Sequence, residues 1–219
     1  MYKEYTRQVG IFSKGSFLRY DEERLVDKYF SPQKNKKLLV LGCGGGRTLI
    51  PLHEKGFEVI AIDIVDGMVE AAKRKIGERP IMVKKMDAVK LEFGNEFFDY
   101  VIFPFHGIDC VYPDIYACVK EARRVLKKEG IFIFNSHNRY FLKKLTVFFS
   151  GKYAKDKDGI LLYRTDLKDY FKLRKYFWKV KIKHRISMLP WSKSNWKDKM
   201  YKLFPLFSKS TYFICKYPR

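Results

Sequence analysis

A chain of 219 residues, 47% of them apolar, is long and apolar enough to bury the core of one α/β domain. Its longest apolar runs, such as residues 131–134, are far shorter than the ~20 residues a membrane span requires, and the polar residues 1–10 lack the apolar core of a secretory signal. The net charge of +21 is unevenly placed: residues 1–137 hold 23 Lys/Arg against 19 Asp/Glu, and residues 138–219 hold 22 against 5, with 19 of the 37 aromatics. These features predict a soluble cytoplasmic protein with a near-neutral front and a basic, aromatic back. The field of that back can attract RNA, an anionic membrane surface or an acidic substrate. The four cysteines, Cys43, Cys110, Cys118 and Cys215, form no C-x-x-C pair. They read as free thiols, and no metal site is expected.

In chain order, residues 17–30 read as an amphipathic helix, with Ser16 as its cap and Pro32 as its stop. Residues 38–41 form a continuous apolar run, as a buried parallel strand does. A glycine loop at 42–46 leads into a helix over 47–55, which Gly56 closes in a left-handed conformation. A second strand over 58–62 ends at Asp63, and Asp66 caps a helix over 67–76. Third and fourth strands follow at 81–86 and 98–103. A helix at 114–127 places Ile115, Cys118, Val119, Ala122, Val125 and Leu126 on one stripe. Gly130 ends the turn before a fifth strand at 131–134. Beyond it come a helix at 140–149, a charged loop at 152–159, a helix at 166–177 capped by Thr165, a strand at 178–187, an irregular stretch at 189–209 and a last strand at 211–216. The alternation predicts a doubly wound, mostly parallel sheet with helices on both faces, carried in a single domain. Residues 1–37 form a helical cap, 38–137 a cofactor-binding core, and 138–219 an insert or lid with the closing strands.

The most informative string is "LLVLGCGGGR", residues 38–47. Glycines between a strand and a helix admit positive φ and let a ligand approach the backbone, and the helix start offers unpaired N–H groups. The spacing is G-x-G-x-G. It departs from the dinucleotide fingerprint because Arg47 stands at the third position, and no Gly-Lys-Ser/Thr follows as in a phosphate loop. Asp63 lies 21 residues after Gly42, at the end of the next strand, where a carboxylate can accept both hydroxyls of a ribose. Together they indicate a nucleoside cofactor at the carboxyl ends of the strands.

These segments resemble class I S-adenosylmethionine-dependent methyltransferases, in particular the small-molecule type 11, UbiE-like branch. "LVLGCGGGRTLIPL" is similar to their glycine loop and "AIDIVDGMVEAA" to their second motif. Asp87-Ala88 is similar to the pair that holds the adenine edge, "FDYVIF" to the fourth strand, and "EARRVLKKEGIFIF" to the following helix-turn-strand. The resemblance spans residues 38–134 and implies a seven-stranded sheet with an antiparallel last strand, for which "YFICKYP" is suited. It implies S-adenosylmethionine as cofactor. Gly42, Cys43, Gly44 and Gly46 would line its methionyl side, and Asp63 would hold the ribose, with Ile64 and Met68 beside the adenosine. Asp87 and Ala88 would hold the adenine, and Phe103 would border the site. The acid that the family often carries in its first strand is Val40 here, so one loop contact is missing.

Methyl transfer from a sulfonium is an in-line displacement that positioning alone can accelerate. A hydroxyl acceptor gains from a general base. His106, in "FPFHGID" after the fourth strand, is the candidate catalytic base, with Asp109 placed to orient it; His137, in "NSHN" after the fifth, lies at the same edge. His53 and His184 read as surface groups. "FPFH" shares only its Pro and following Phe with the Asp/Asn-Pro-Pro-Tyr/Phe of base amino-methyltransferases, which argues against DNA as acceptor. A small-molecule acceptor is expected. The alternatives are an RNA acceptor held by stretches such as "LRKYFWKVKIKHR", and a non-catalytic cofactor-binding module lying on an anionic membrane through "YFLKKLTVFF" and "WKDKMYKLFPLF".

Overall fold

The computed structural model describes residues 9–31, 35–111, 113–138, 153–155, 161–165, 167–177, 179–184 and 210–218. A helical turn α1 (Val9–Phe12) and helix α2 (Tyr20–Tyr29) precede strand β1 (Lys37–Leu41). Then α3 (Leu49–Glu54), β2 (Glu58–Asp63), α4 (Asp66–Ile76), β3 (Met82–Lys85) and β4 (Phe98–Phe103) follow. A 3-10 turn (Gly107–Val111) leads to α5 (Ile115–Val125) and β5 (Leu126–Asn138). The back contributes β6 (Tyr153–Lys155), β7 (Leu161–Thr165), α6 (Leu167–Leu173), β8 (Lys179–His184) and β9 (Ser210–Lys216).

Seven strands form the main sheet in the order β3-β2-β1-β4-β5-β9-β8. The pairings among β1 to β5 are parallel. β9 runs antiparallel to both β5 and β8, so six strands point one way and one the other. Strand pleating sends alternate residues to opposite faces. Leu39, Leu41, Ile60, Ile62, Val101, Phe132 and Phe134 meet the buried stripe of α5, which is Ile115, Cys118, Val119, Ala122 and Val125 as the spacing predicts. Leu38, Val40, Val59, Ala61, Ile102 and Ile133 face the other way, onto Leu25 and Val26 of α2, Leu49 and Leu52 of α3, and Val69, Ala72 and Ile76 of α4. Both faces are covered, which is why β1 reads as an unbroken apolar run. Among the described residues, no helix is long and apolar enough to cross a membrane, and no group of His, Cys, Asp or Glu could hold a metal.

The structure departs from the sequence reading at element ends. The first long helix starts at Tyr20 rather than 17. Ser16 does not cap it; Arg19 takes that place in extended conformation, and its N–H donates to Glu22 Oε2 at 2.8 Å. Arg47 belongs to a turn, and α3 begins at Leu49. Asp66 is inside the first turn of α4 rather than its cap, and pairs with Lys85 at 2.8 Å. Strand β5 begins directly after α5, with Glu129 at φ +62° and an irregular register opposite Phe98 and Tyr100. The expected charged loop contains β6, which forms an antiparallel pair with β7, and β7 ends at Thr165. The helix expected at 140–149 and the aromatic clusters of 189–209 lie outside the described residues.

One detail of the sheet positions the site. β4 pairs with β5 only as far as Phe134, whereas β9 pairs with the other edge of β5 out to His137. The edge that β4 vacates is taken by β7, with His137 opposite Arg164 and Asn138 opposite Thr165. The carboxyl end of β5 is therefore held on both sides.

Candidate cofactor and active site

The glycine loop leaves β1 at its carboxyl end, tied to β2 by the Cys43 N–H donating to Ile62 O at 2.9 Å. Gly42, Gly44 and Gly46 have φ of +57°, +53° and +84°. At Gly42 the absent side chain is also a matter of space: a Cβ would stand 2.5 Å from a ring carbon of Phe103. At Gly45 a Cβ would stand 2.2 Å from Ser13 Oγ and 2.5 Å from Ser13 Cα, so the amino-terminal segment lies directly against the loop.

Asp63 holds the loop from the end of β2. Its Oδ2 accepts the Gly44 N–H at 2.8 Å and its Oδ1 the Val65 N–H at 3.0 Å. Burial raises its carboxyl above the ordinary aspartate value, against those hydrogen bonds. Each oxygen keeps a lone pair for a further donor. Asp87, one strand further along, is half-buried and accepts the Val89 N–H at 3.0 Å in a tight turn, beside half-buried Ala88. Ile64 is half-buried, and Met68 is buried in the first turn of α4. Cys43 is buried, and desolvation followed by the Asp63 charge pushes its thiol well above the ordinary range, so it lines the loop as an inert side chain. A positive-φ loop and two carboxylates at the ends of three neighbouring strands fit a nucleoside that bears a short cationic chain.

Two groups that the sequence reading left without a role close this loop from above. Arg47 donates from Nη1 and Nη2 to the two oxygens of Glu22, both at 2.8 Å. It also donates to Phe17 O at 2.9 Å, and its own carbonyl accepts the Phe17 N–H at 2.9 Å. Lys75 of α4 donates to Ser13 O and Gly15 O, each at 2.6 Å. Arg19 lies 4.1 Å from the centroid of the Phe105 ring, and Arg47 5.7 Å. No local pattern announces these contacts, because they join residues 25 or more apart.

The corner after β4 is strained. Phe105 and His106 adopt φ of +57° and +60°, a conformation uncommon in residues other than glycine. The His106 N–H donates to Asn135 Oδ1 at 3.0 Å. Asp109, fully buried, does not orient His106. Its Oδ2 accepts the His137 N–H at 2.9 Å and lies 2.7 Å from His137 Nδ1, while Oδ1 accepts the Ser136 hydroxyl. Burial raises the Asp109 carboxyl; His137 and Ser136 pull it back. His106 instead stacks on His137, with ring centroids 4.0 Å apart and planes 20° from parallel. Phe103 connects this corner to the glycine loop, since a Cβ on Gly107 would stand 2.1 Å from the ring that also lies against Gly42.

Residues 39–134 match the model of the methyltransferase domain. Over this stretch the chain is similar to a methyltransferase domain. The fold is shared with the PH0226 protein from Pyrococcus horikoshii, which superposes over all of both chains at 25% identity with a TM-score of 0.70. A phosphoethanolamine N-methyltransferase 2 of Haemonchus contortus, solved with S-adenosylmethionine, shares the fold at 14% identity and a TM-score of 0.70, covering all of this chain and 58% of that one. Among curated relatives, the YqeM protein of Bacillus subtilis is 31% identical over 60% of this chain and 53% of its own length. A ubiquinone biosynthesis O-methyltransferase of Pelagibacter ubique is 30% identical over 56% and 52%. The chain spans about half the length of the curated relatives it matches. The matched stretch holds Gly42, Cys43, Gly44, Gly46, Asp63, Ile64, Met68, Asp87, Ala88, Phe103 and His106. His137 lies just past it.

Proposed function

We propose that this protein transfers a methyl group from S-adenosylmethionine to a small-molecule acceptor, in the cytoplasm, a setting its four free cysteines suit. The observation that carries this reading is the alignment of the glycine loop, Asp63 and Asp87 at the carboxyl ends of β1, β2 and β3. When bound, the cofactor supplies an activated methyl group on a sulfonium. Gly42, Cys43, Gly44 and Gly46 line its methionyl chain, Asp63 accepts from the ribose hydroxyls, Ile64 and Met68 flank the adenosine, Asp87 and Ala88 hold the adenine edge, and Phe103 backs the sulfonium. The names of the ubiquinone biosynthesis relatives favour a small acceptor. Residues 1–37 serve as a helical cap, 38–137 as the cofactor-binding core and 138–219 as an insert or lid with the closing strands.

Calorimetry of S-adenosylmethionine against the purified protein, with NAD as control, tests the reading. Binding of the first alone is expected. Asp63→Ala should weaken it roughly 10- to 100-fold, as loss of hydrogen bonds to a charged group does. Unchanged affinity in a folded variant overturns the assignment of Asp63.

An RNA acceptor is favoured by one observation. On α6 and the turn after it, Lys168, Lys172, Arg174 and Lys175 are exposed around Phe171, itself 63% exposed, while Asp169, the acid on that helix, is buried against Tyr116. RNA binding through this face predicts an affinity that falls steeply with salt. A flat salt response removes it.

A further inference from the structure

We propose that residues 9–19 form a strap that gates the cofactor cleft, and that Lys75 of α4 is the positioning residue that holds it shut. This gate rests on the methyl-transfer reading above.

The strap borders the site at three places. Val9 lies against the first turn of α4 beside Met68, since a Cβ on Gly67 would stand 3.1 Å from Val9 Cγ2. Ser13 lies on the glycine loop at Gly45, where a Cβ would stand 2.5 Å from Ser13 Cα. Arg19 reaches the corner after β4, 4.1 Å from the centroid of the Phe105 ring. The side chains that would hold the cofactor are nearly closed off within this rim: Asp63 is 9% exposed, Met68 3% and Phe103 3%. A nucleoside reaches them only if part of the rim moves. The glycine loop is fixed to the sheet, with the Cys43 N–H bonded to Ile62 O and Leu41 in register with Ile62. The strap has less to hold it. Residues 14–17 are exposed, and segments with so little burial open at low free-energy cost.

Polar ties secure the strap instead. Lys75 Nζ donates to Ser13 O and Gly15 O, each at 2.6 Å, so one ammonium clasps the chain on both sides of Lys14. Arg47 holds the next turn: its carbonyl accepts the Phe17 N–H and its Nη1 donates to Phe17 O, both at 2.9 Å. Between these ties Gly15 has φ of +68°, a region that glycine enters without strain, and it supplies a hinge. Closure also carries a penalty. Burial, and then the nearby Arg47 guanidinium, hold the Lys75 ammonium below its ordinary pKa. Opening lets water reach the ammonium and screen the two cations from each other. A shut form held by a few charge-assisted bonds against that penalty is poised to open and close around a ligand.

Surface plasmon resonance of S-adenosylhomocysteine on the immobilised full-length protein reads the gate through its rates. Val9→Cys combined with Gly67→Cys brings two Cβ atoms within disulfide reach, because the Gly67 Cβ position is 3.1 Å from Val9 Cγ2. With the bond formed, as verified by mass, association and dissociation should both slow roughly tenfold or more. Reduction should restore the wild-type rates in the same protein. Lys75→Met removes both carbonyl ties and should speed both rates roughly tenfold, as loss of hydrogen bonds to a charged group does. A Lys75 that merely supports the site would change dissociation and leave association alone. Wild-type rates in the oxidised variant overturn the gate and spare the cofactor site. An unchanged association rate in Lys75→Met overturns Lys75 as the positioning residue; if that variant fails to fold, the oxidised and reduced forms of the cysteine pair still decide the gate. Failure of the wild-type protein to bind S-adenosylhomocysteine overturns the cofactor reading and the gate with it.

Discussion

At the scale of single residues, Gly42 separates two penalties that usually coincide. Gly42 and Gly56 both have positive φ, +57° and +92°, but a Cβ at Gly42 meets the Phe103 ring whereas one at Gly56 meets nothing within 4 Å. Gly56→Ala should therefore cost only the backbone strain, about 1–2 kcal/mol. Gly42→Ala should cost about 1–3 kcal/mol more, as overpacking does, and abolish cofactor binding; chemical denaturation and calorimetry read both. Thiol reactivity gives a second expectation. Cys43, Cys118 and Cys215 are buried, and burial drives their thiols upward, whereas Cys110 is half-exposed. A maleimide on the native protein should label Cys110 first, read by peptide mass. The glycines and Asp63 were legible in the sequence because a strand, a turn and the next strand end are local features. The Asp109–His137 pair was not. Asp109 sits three residues from His106 and 28 from His137, and only the pairing of β4 with β5 brings the distant partner close.

Among elements, α2 and the segment before it are secured by one buried ion pair. Glu22 is 2% exposed, and the guanidinium of Arg47 satisfies both of its oxygens. Glu22→Ala leaves a largely buried cation without its partner and should cost about 3 kcal/mol. It should also speed tryptic cleavage at Lys14 and Arg19, whereas unchanged cleavage would mean the segment is held by Lys75 alone. The start of α2 was misplaced from sequence for a related reason. Glu22 supplies the acidic half of a capping box, but Arg19 stands where a serine or threonine would announce it. Opposite the site, at the amino ends of the strands, Asp99 joins three of them. It accepts from Lys36 Nζ, the Lys37 N–H and Lys127 Nζ, each at 3.0 Å. Burial opposes its charge, but these donors together hold its carboxyl below the ordinary 3.8. A folded-state value below the unfolded one adds stability at pH above about 4, which is lost as pH falls through the lowered value. Asp99→Asn should lower stability near neutral pH and make the loss below pH 4 shallower, as seen in urea unfolding at each pH.

For the whole molecule, the front half was readable because β1, β2 and β4 are buried on both faces and the helices on one, so the alternation of apolar runs and stripes is unambiguous. The back was less so. The β6–β7 pair is three register positions long, and β7 touches β5 at only two, so "LLYRT" gave no periodic signal apart from the helix that follows. Its charge was legible, but charge alone does not select a partner. The two ends of this fold also meet. Tyr212 of β9 donates its hydroxyl to Asp21 of α2 at 2.8 Å, across 191 positions, and Tyr212 and Ile214 share a packed cluster with Leu25, Val26 and Phe30. On the ribosome, then, α2 is made well before β9, the strand that completes its seat. The roof over the glycine loop can settle only after β9 has been synthesised and has slotted between β5 and β8. A nascent chain halted before that strand would expose an apolar groove where α2 belongs, a surface that invites chaperones and aggregation alike.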